Sequence, residues 1–180
     1  MPKSKVLFLG LGRMGSHMSA HLSKSKNIEL FIYNRSKKKE NDWLNVYKAK
    51  KFNFKNSVNL KFDIIITCLK DDQSINQVTK NLLKSSCFHR NTIFIDHSTI
   101  SLSQVEKLNQ LLNKNKIKFL DAPVTGGEEG AKTGKLSIMI GGNYSKFKLA
   151  LPIIKTYSKS VIHMGNTGSG QLAKFTNQIL

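Results

Sequence analysis

Two stretches of this sequence carry residue types and spacings with a direct chemical reading. Gly10-Leu11-Gly12-Arg13-Met14-Gly15 fits G-x-G-x-x-G and follows Val6-Leu7-Phe8-Leu9, an apolar run of the kind that forms a buried strand. In that setting Gly10 permits a tight turn, Gly12 lets the backbone approach a pyrophosphate, and Gly15 lets the following helix pack closely on the strand. The unpaired N–H groups and the dipole at a helix start then favour an anion. About 20 residues further on, a site for NAD usually carries an acid for the ribose 2′-hydroxyl. This sequence has Asn34-Arg35-Ser36 there, followed by Lys37. No acid repels a 2′-phosphate at that point, and the planar fork of Arg35 suits one. The expected cofactor is therefore NADP, with NAD the less favoured option.

The elements that must position these residues alternate along the chain. Residues 5–9, 28–33, 63–69, 92–96, 117–121, 136–140 and 160–164 read as strands, most of them apolar throughout, as strands covered on both faces should be. Helical periodicity predicts helices over 13–25, 37–48, 71–84 and 101–113, then over 146–155 with an interruption near Pro152, and from 171 onward. Ser101 is the expected N-cap of its helix, with Gln104 placed to close a capping box. Residues 51–59 suggest a short edge strand near Phe52, 123–134 reads as a Gly- and Thr-rich loop, Gly141-Gly142 ends a strand, and 165–170 is a turn. Strands and helices in this alternation imply an α/β fold, a Rossmann-type doubly wound and mostly parallel sheet. Residues 1–164 are expected to form the dinucleotide-binding domain and 165–180 to begin an interdomain helix. That helix lacks a C-cap and runs into Ile179-Leu180 in mid-pattern, so the sequence reads as a fragment or a truncated form of a longer chain.

Composition narrows the remaining classes. With 180 residues, 39% of them hydrophobic, the chain can build one full-sized α/β core. Its 29 Lys and Arg against 11 Asp and Glu give a net charge of +18, which raises nucleic-acid binding as a rival reading. The lysines, however, are spread along the sequence with no base-reading motif. We read them as solvated faces that also favour a polyanionic cofactor, and expect no specific nucleic-acid partner. No apolar run approaches the roughly 18 residues of a membrane span. Cys68 and Cys87 show neither CxxC nor metal spacing, which points to reduced thiols in the cytoplasm. His17, His21, His89 and His163 have no ligand spacing, so no metal is expected. His97 is read as a satisfied structural histidine and Asp121 as a strand-end cap.

Further motifs sharpen the reading. Asp96-His97-Ser98-Thr99 closes the fifth strand. Asp121-Ala122-Pro123-Val124-Thr125-Gly126-Gly127 continues to Gly130-Ala131, Gly134-Lys135-Leu136 and Met139-Ile140-Gly141-Gly142. Gly165-Asn166-Thr167-Gly168-Ser169-Gly170 leads to Lys174 and Asn177. Together with the Gly10–Gly15 motif, these resemble the β-hydroxyacid dehydrogenase family, which includes 3-hydroxyisobutyrate dehydrogenase, tartronate semialdehyde reductase and the glyoxylate/succinic semialdehyde reductases. The resemblance implies an NADP-dependent oxidoreductase that moves hydride between a nicotinamide and a small β-hydroxy acid, semialdehyde or 2-oxo acid. It implies Lys174 as the catalytic general acid/base and Thr125, Gly126 and Gly127 as the substrate-binding turn. A hydroxyl beside successive backbone N–H groups does make a small anion cradle for a carboxylate. Asn177 lies one helical turn after Lys174 on the same face, placed to hold the substrate. Leu69, Asp71 and Thr99 match positions lining the nicotinamide and its ribose. Lys70 departs from the family, which often has Pro there. The family also has a second, all-helical domain that covers the cleft and supplies much of the dimer interface, so a homo-oligomer is expected only with that domain. The alternative reading is a dinucleotide-binding module without turnover.

Overall fold

In the computed structural model, which describes residues 3–56 and 60–179, the alternation resolves into strands and helices of the expected kinds. The chain begins β1 (Ser4–Leu9), α1 (Arg13–Ser23), β2 (Ile28–Tyr33), α2 (Lys37–Val46) and a two-residue β3 (Lys50–Lys51). It continues through β4 (Ile64–Thr67), α3 (Asp72–Lys84), β5 (Ile93–Asp96), α4 (Leu102–Lys114) and β6 (Lys118–Asp121). The last part holds β7 (Val124–Thr125), α5 (Gly127–Thr133), β8 (Leu136–Gly142), α6 (Tyr144–Ile154), β9 (Ser158–Gly165) and α7 (Ser169–Ile179).

These strands form one sheet in the order β3-β2-β1-β4-β5-β6-β8-β7, with β9 on the free side of β8. From β3 to β6 all pairings are parallel. β8 runs antiparallel to both β6 and β7 and parallel to β9. The chain leaves β1 toward β2 and β3, then returns to place β4 on its other side. That reversal opens a crevice beyond the carboxyl ends of β1 and β4, where ligands bind in open α/β sheets.

The apolar strands are explained by burial on both faces. In β1, Val6 and Phe8 enter one core with Met18 and Leu22 of α1 and Trp43 of α2. Leu7 and Leu9 enter the opposite core with Ile75 and Leu82 of α3 and Val105, Leu108 and Leu112 of α4. Alternate residues of a strand point to opposite faces, so a strand sandwiched between helices is apolar along most of its length.

Several expectations require correction. The segment 123–134 is not a loop throughout: Val124-Thr125 pairs with β8, and Gly127–Thr133 is helical. Seven residues rich in Gly, Glu and Lys show little periodicity. What holds α5 is tertiary: Ala131 is buried, and the His21 ring Nε2 of α1 donates to the carbonyls of Ala131 and Lys132, each at 3.1 Å. Gly141-Gly142 ends the strand as expected, as the last two residues of β8. α6 runs unbroken through Pro152, because a proline in the last turn removes only one terminal hydrogen bond. Ser101 Oγ does cap α4 by accepting from Gln104 N, yet the box stays open. The Gln104 amide instead pairs reciprocally with that of Asn76 at 2.8 and 2.9 Å, while Ser101 N–H donates to Asp72 Oδ1. The edge strand expected near Phe52 is Lys50–Lys51. The rest of that expectation, at 57–59, and the chain end at Leu180 lie outside the described residues. Cys68 is half-buried and Cys87 buried, and both are free thiols. Among the described residues no helix is long and apolar enough to cross a membrane.

Candidate active site

The three glycines of the first motif differ in what surrounds them. Gly10 has φ +106°, and a Cβ there would lie 2.3 Å from the Cys68 carbonyl oxygen. Only glycine combines that backbone angle with so close an approach of β1 to β4. At Gly15 a Cβ would lie 1.9 Å from the Gly10 carbonyl oxygen and 3.0 Å from Phe8, so α1 rests directly on the bend. Gly12, the N-cap of α1, has nothing within 4 Å of such a carbon and no side chain capping the helix. The first-turn N–H groups of α1 therefore face open space, with no acid in that turn. Arg13 beside them is exposed, and Met14 packs on the core.

The end of β2 is tied to this bend. Leu11 N–H donates to Asn34 Oδ1 at 3.0 Å, and Gly10 N–H donates to the Tyr33 carbonyl. Asn34 N–H in turn donates to Glu40 Oε1 at 3.0 Å. Glu40 is fully buried, and its carboxylate also meets Lys37 at 3.2 Å and Lys51 at 3.1 Å. This acid follows β2 but is turned inward and neutralised. Ser36 Oγ caps α2 by accepting from Lys39 N, and Arg35 is exposed and makes no ion pair among the described residues. Gly10, Leu11, Gly12, Asn34, Arg35, Ser36 and Leu69 line one cavity of about 370 Å³, closed further by Lys39 and Cys68.

The remaining cofactor-side candidates sit beyond β4 and β5. Asp71 is the N-cap of α3: hydrogen bonds from Ser74 hold its carboxyl below the usual carboxylate range, with a smaller pull from Lys70 and Arg35. Thr99 is exposed between β5 and α4. Next to it, Ser98 is buried and joins three parts of the site. Its hydroxyl donates to Asp96 Oδ1 at 2.6 Å and accepts from Leu69 N at 2.9 Å, while its carbonyl accepts from Gln171 Nε2 of α7 at 2.6 Å.

A second cluster forms where α7 meets β6 and β7. Lys174 is buried to 9% exposure, and its Nζ donates to the Val124 carbonyl at 3.0 Å, next to Thr125. Thr125 is half-buried, and Gly126 and Gly127 are exposed with φ of +117° and +62°. A left-handed pair of this kind turns the chain sharply into α5. Asn177, one turn beyond Lys174, is exposed. The fold thus sets Lys174 beside the 125–127 turn, two features that the family resemblance, not their spacing, had linked.

Buried titratable groups lie behind both clusters. Burial pushes the Asp96 carboxyl up to about 6 despite hydrogen bonds from Ser98 and Thr67, and its Oδ2 has no partner among the described residues. Burial also pushes His97 down to about 4. Its Nδ1 lies 2.6 Å from the Ala122 carbonyl and so carries the proton, which leaves Nε2 to accept from the Tyr157 hydroxyl at 2.9 Å. His97 is thus a fully satisfied structural histidine. Burial drives the Cys68 thiol up to about 12, which makes it a poor nucleophile in the cavity wall. Sequence reasoning missed Glu40, Ser98 and Gln171. Each acts through a partner on a different element, and no local spacing signals that.

Residues 5–165 match the family model described as the NAD binding domain of 6-phosphogluconate dehydrogenase. An uncharacterized oxidoreductase of Shewanella frigidimarina is 35% identical over 179 residues, which is 98% of this chain and 60% of that protein. A probable mitochondrial 3-hydroxyisobutyrate dehydrogenase of Dictyostelium discoideum is 32% identical over 181 residues, 97% of this chain and 54% of its own length. The solved structure of Mycobacterium tuberculosis 3-hydroxyisobutyrate dehydrogenase with L-serine aligns with a TM-score of 0.88 at 29% identity, over 98% of this chain and 60% of that one. The chain therefore spans only a little more than half the length of the relatives it matches. By its sheet order, its glycine bend and the family match over nearly its whole length, the chain belongs to the family of the 6-phosphogluconate dehydrogenase NAD-binding domain.

Proposed function

We propose that this chain is the cofactor-binding part of an NADP-dependent dehydrogenase or reductase acting on a small β-hydroxy acid, semialdehyde or 2-oxo acid. The observation that carries the reading is the open, uncapped start of α1 at Gly12, facing a cavity whose other wall is Asn34-Arg35-Ser36. The first-turn N–H groups of α1 bind the pyrophosphate. Asn34 is spent on holding Leu11, so the 2′-phosphate falls to Arg35, with Lys39 and the start of α2 adding positive potential. Glu40 offers no competing charge, because Lys37 and Lys51 neutralise it. Leu69, Asp71 and Thr99 border the nicotinamide end.

When bound, NADPH supplies the hydride. This chain's residues do the rest. Thr125, Gly126 and Gly127 hold the substrate carboxylate, and Asn177 steadies the substrate from the exposed face of α7. Lys174 gives a proton to the oxygen as the carbonyl is reduced and takes it back in the reverse direction. The M. tuberculosis relative solved with L-serine, itself a β-hydroxy acid, supports this substrate class.

The alternative reading is dinucleotide binding without turnover. One set of assays separates the two. NADPH and NADH are titrated onto the chain, and reduction of glyoxylate, succinic semialdehyde and tartronate semialdehyde is followed, with Lys174→Ala beside the unmodified chain. The proposal expects about tenfold or tighter preference for NADPH. It also expects turnover that Lys174→Ala abolishes without changing cofactor affinity. Preference for NADH, or turnover indifferent to Lys174→Ala, overturns it. Cofactor binding with no turnover establishes the second reading.

A further inference from the structure

A buried carboxylate that the proposed reaction does not use sits at the root of α7. Asp121, the last residue of β6, is fully buried. Its Oδ1 accepts from Gly168 N at 2.7 Å and its Oδ2 from Gln171 N at 3.0 Å. It therefore supplies, from a different element, the cap that α7 needs for its first N–H groups. Burial pushes the Asp121 carboxyl up, and the backbone hydrogen bonds from Gly168 and Gln171, with the helix dipole, act against that rise.

The surroundings are built for that contact. A Cβ on Gly141 would lie 2.5 Å from Asp121 Oδ1, and one on Gly170 would lie 2.8 Å from Oδ2 and 2.6 Å from the Met139 carbonyl oxygen. Two glycines thus clear the way for the helix end to sit against β6 and β8. The contact also closes a ring. From Gln171, whose N–H Asp121 holds, Lys174 is three residues on, a rise of about 4.5 Å along α7. Lys174 Nζ then reaches back to the carbonyl of Val124, three residues after Asp121 on the strand side. Both ends of this short lever are fixed to the 121–125 segment, and the hydrogen bond from Gln171 Nε2 to the Ser98 carbonyl stops the helix from rolling.

We propose that Asp121 is a positioning residue for Lys174: by capping α7 from β6 it sets the height and rotation at which the Lys174 amine meets the Thr125–Gly127 turn. The proposal rests on the role given to Lys174 above. Asp121 touches no substrate or cofactor, and acts through α7.

The test uses the full chain, its Asp121→Ala variant, in which both hydrogen bonds are lost, and Asp121→Asn, which keeps one acceptor oxygen. Lysines are labelled by reductive 13C-methylation, the Lys174 signal being the one missing from Lys174→Arg. Amide hydrogen exchange is read at Gly168 and Gln171. Exchange at these two amides is expected to quicken at least tenfold in Asp121→Ala and less in Asp121→Asn. The Lys174 methyl signal should move toward those of exposed lysines in the same order. NADPH affinity, set at Gly12 and Arg35, should stay within about twofold. A Lys174 signal unchanged in Asp121→Ala overturns the proposal. So does unfolding of both variants, which would make Asp121 a requirement of the fold alone. Turnover that survives Lys174→Ala refutes the catalytic reading instead, and leaves a movement of the Lys174 signal to report positioning of the amine by itself.

Discussion

Replacing Gly12 by alanine separates cofactor seating from folding, and Gly15→Ala provides the contrast. At Gly12 the backbone has φ −74° and ψ −169°, which any L-residue adopts, and an added methyl meets nothing within 4 Å. Alanine is a poorer N-cap than glycine by about 0.5 kcal/mol, but it lowers the entropy of the unfolded chain by a similar amount. Stability should therefore change by less than about 0.5 kcal/mol, a Tm shift under about 2 °C for a chain of this size. The methyl does fill the space through which a phosphate would approach the α1 N–H groups. Lengthening one or two charge-assisted hydrogen bonds costs about 1.5–3 kcal/mol, so the Kd for NADPH should rise about ten- to a hundredfold. At Gly15 the same methyl would sit 1.9 Å from the Gly10 carbonyl oxygen. The bend would have to retreat by roughly 1 Å, and overpacking of that kind costs about 1–3 kcal/mol, lowering Tm by about 3–10 °C. Thermal melts and NADPH titrations on the two variants measure both quantities. Wild-type NADPH affinity in Gly12→Ala would refute the seating of a pyrophosphate at this bend.

Other consequences can be checked on the same chain. Arg35→Ala should raise the Kd for NADPH about tenfold and leave that for NADH unchanged; an equal effect on both would remove Arg35 from 2′-phosphate recognition. Burial raises Asp96 from 3.8 to about 6, so its contribution to stability is fully present below its unfolded value and is lost as pH rises through its folded one. Urea unfolding should therefore show the unmodified chain losing about 2–3 kcal/mol relative to Asp96→Asn between about pH 4 and pH 7, and parallel pH curves would contradict the shift. Tyr157→Phe leaves the buried Nε2 of His97 without its donor, at a cost of about 1–2 kcal/mol and a Tm lower by about 2–8 °C. An unchanged melt would mean that another group satisfies that nitrogen.

The sequence was most informative where a residue acts through its own backbone or its strand's periodicity. Gly10 and Gly15 were readable because tight turns and close helix packing require the absence of a side chain, and the structure shows the collisions that a Cβ would cause. The strands were readable because Val6 to Leu9 must be apolar on both faces. The capping of α4 by Ser101 was local and legible, but the capping box was not. Whether Gln104 turns back to its own helix or across to Asn76 depends on how α3 and α4 pack.

By itself, then, the sequence determined the doubly wound α/β order, the glycine bend after β1 and the absence of an acid at Asn34-Arg35-Ser36, all of which follow from neighbours in the chain. Only the tertiary structure decided that Glu40 is turned inward between Lys37 and Lys51, that α5 exists at all, and that Asp121 caps a helix which starts 48 residues later, at Ser169. Glu40 and Asp121 are buried polar groups with partners on other elements, and burial requires a partner without saying along the chain which one it will be; α5 is held by the burial of Ala131 and by His21 of α1, contacts that its own residues do not signal.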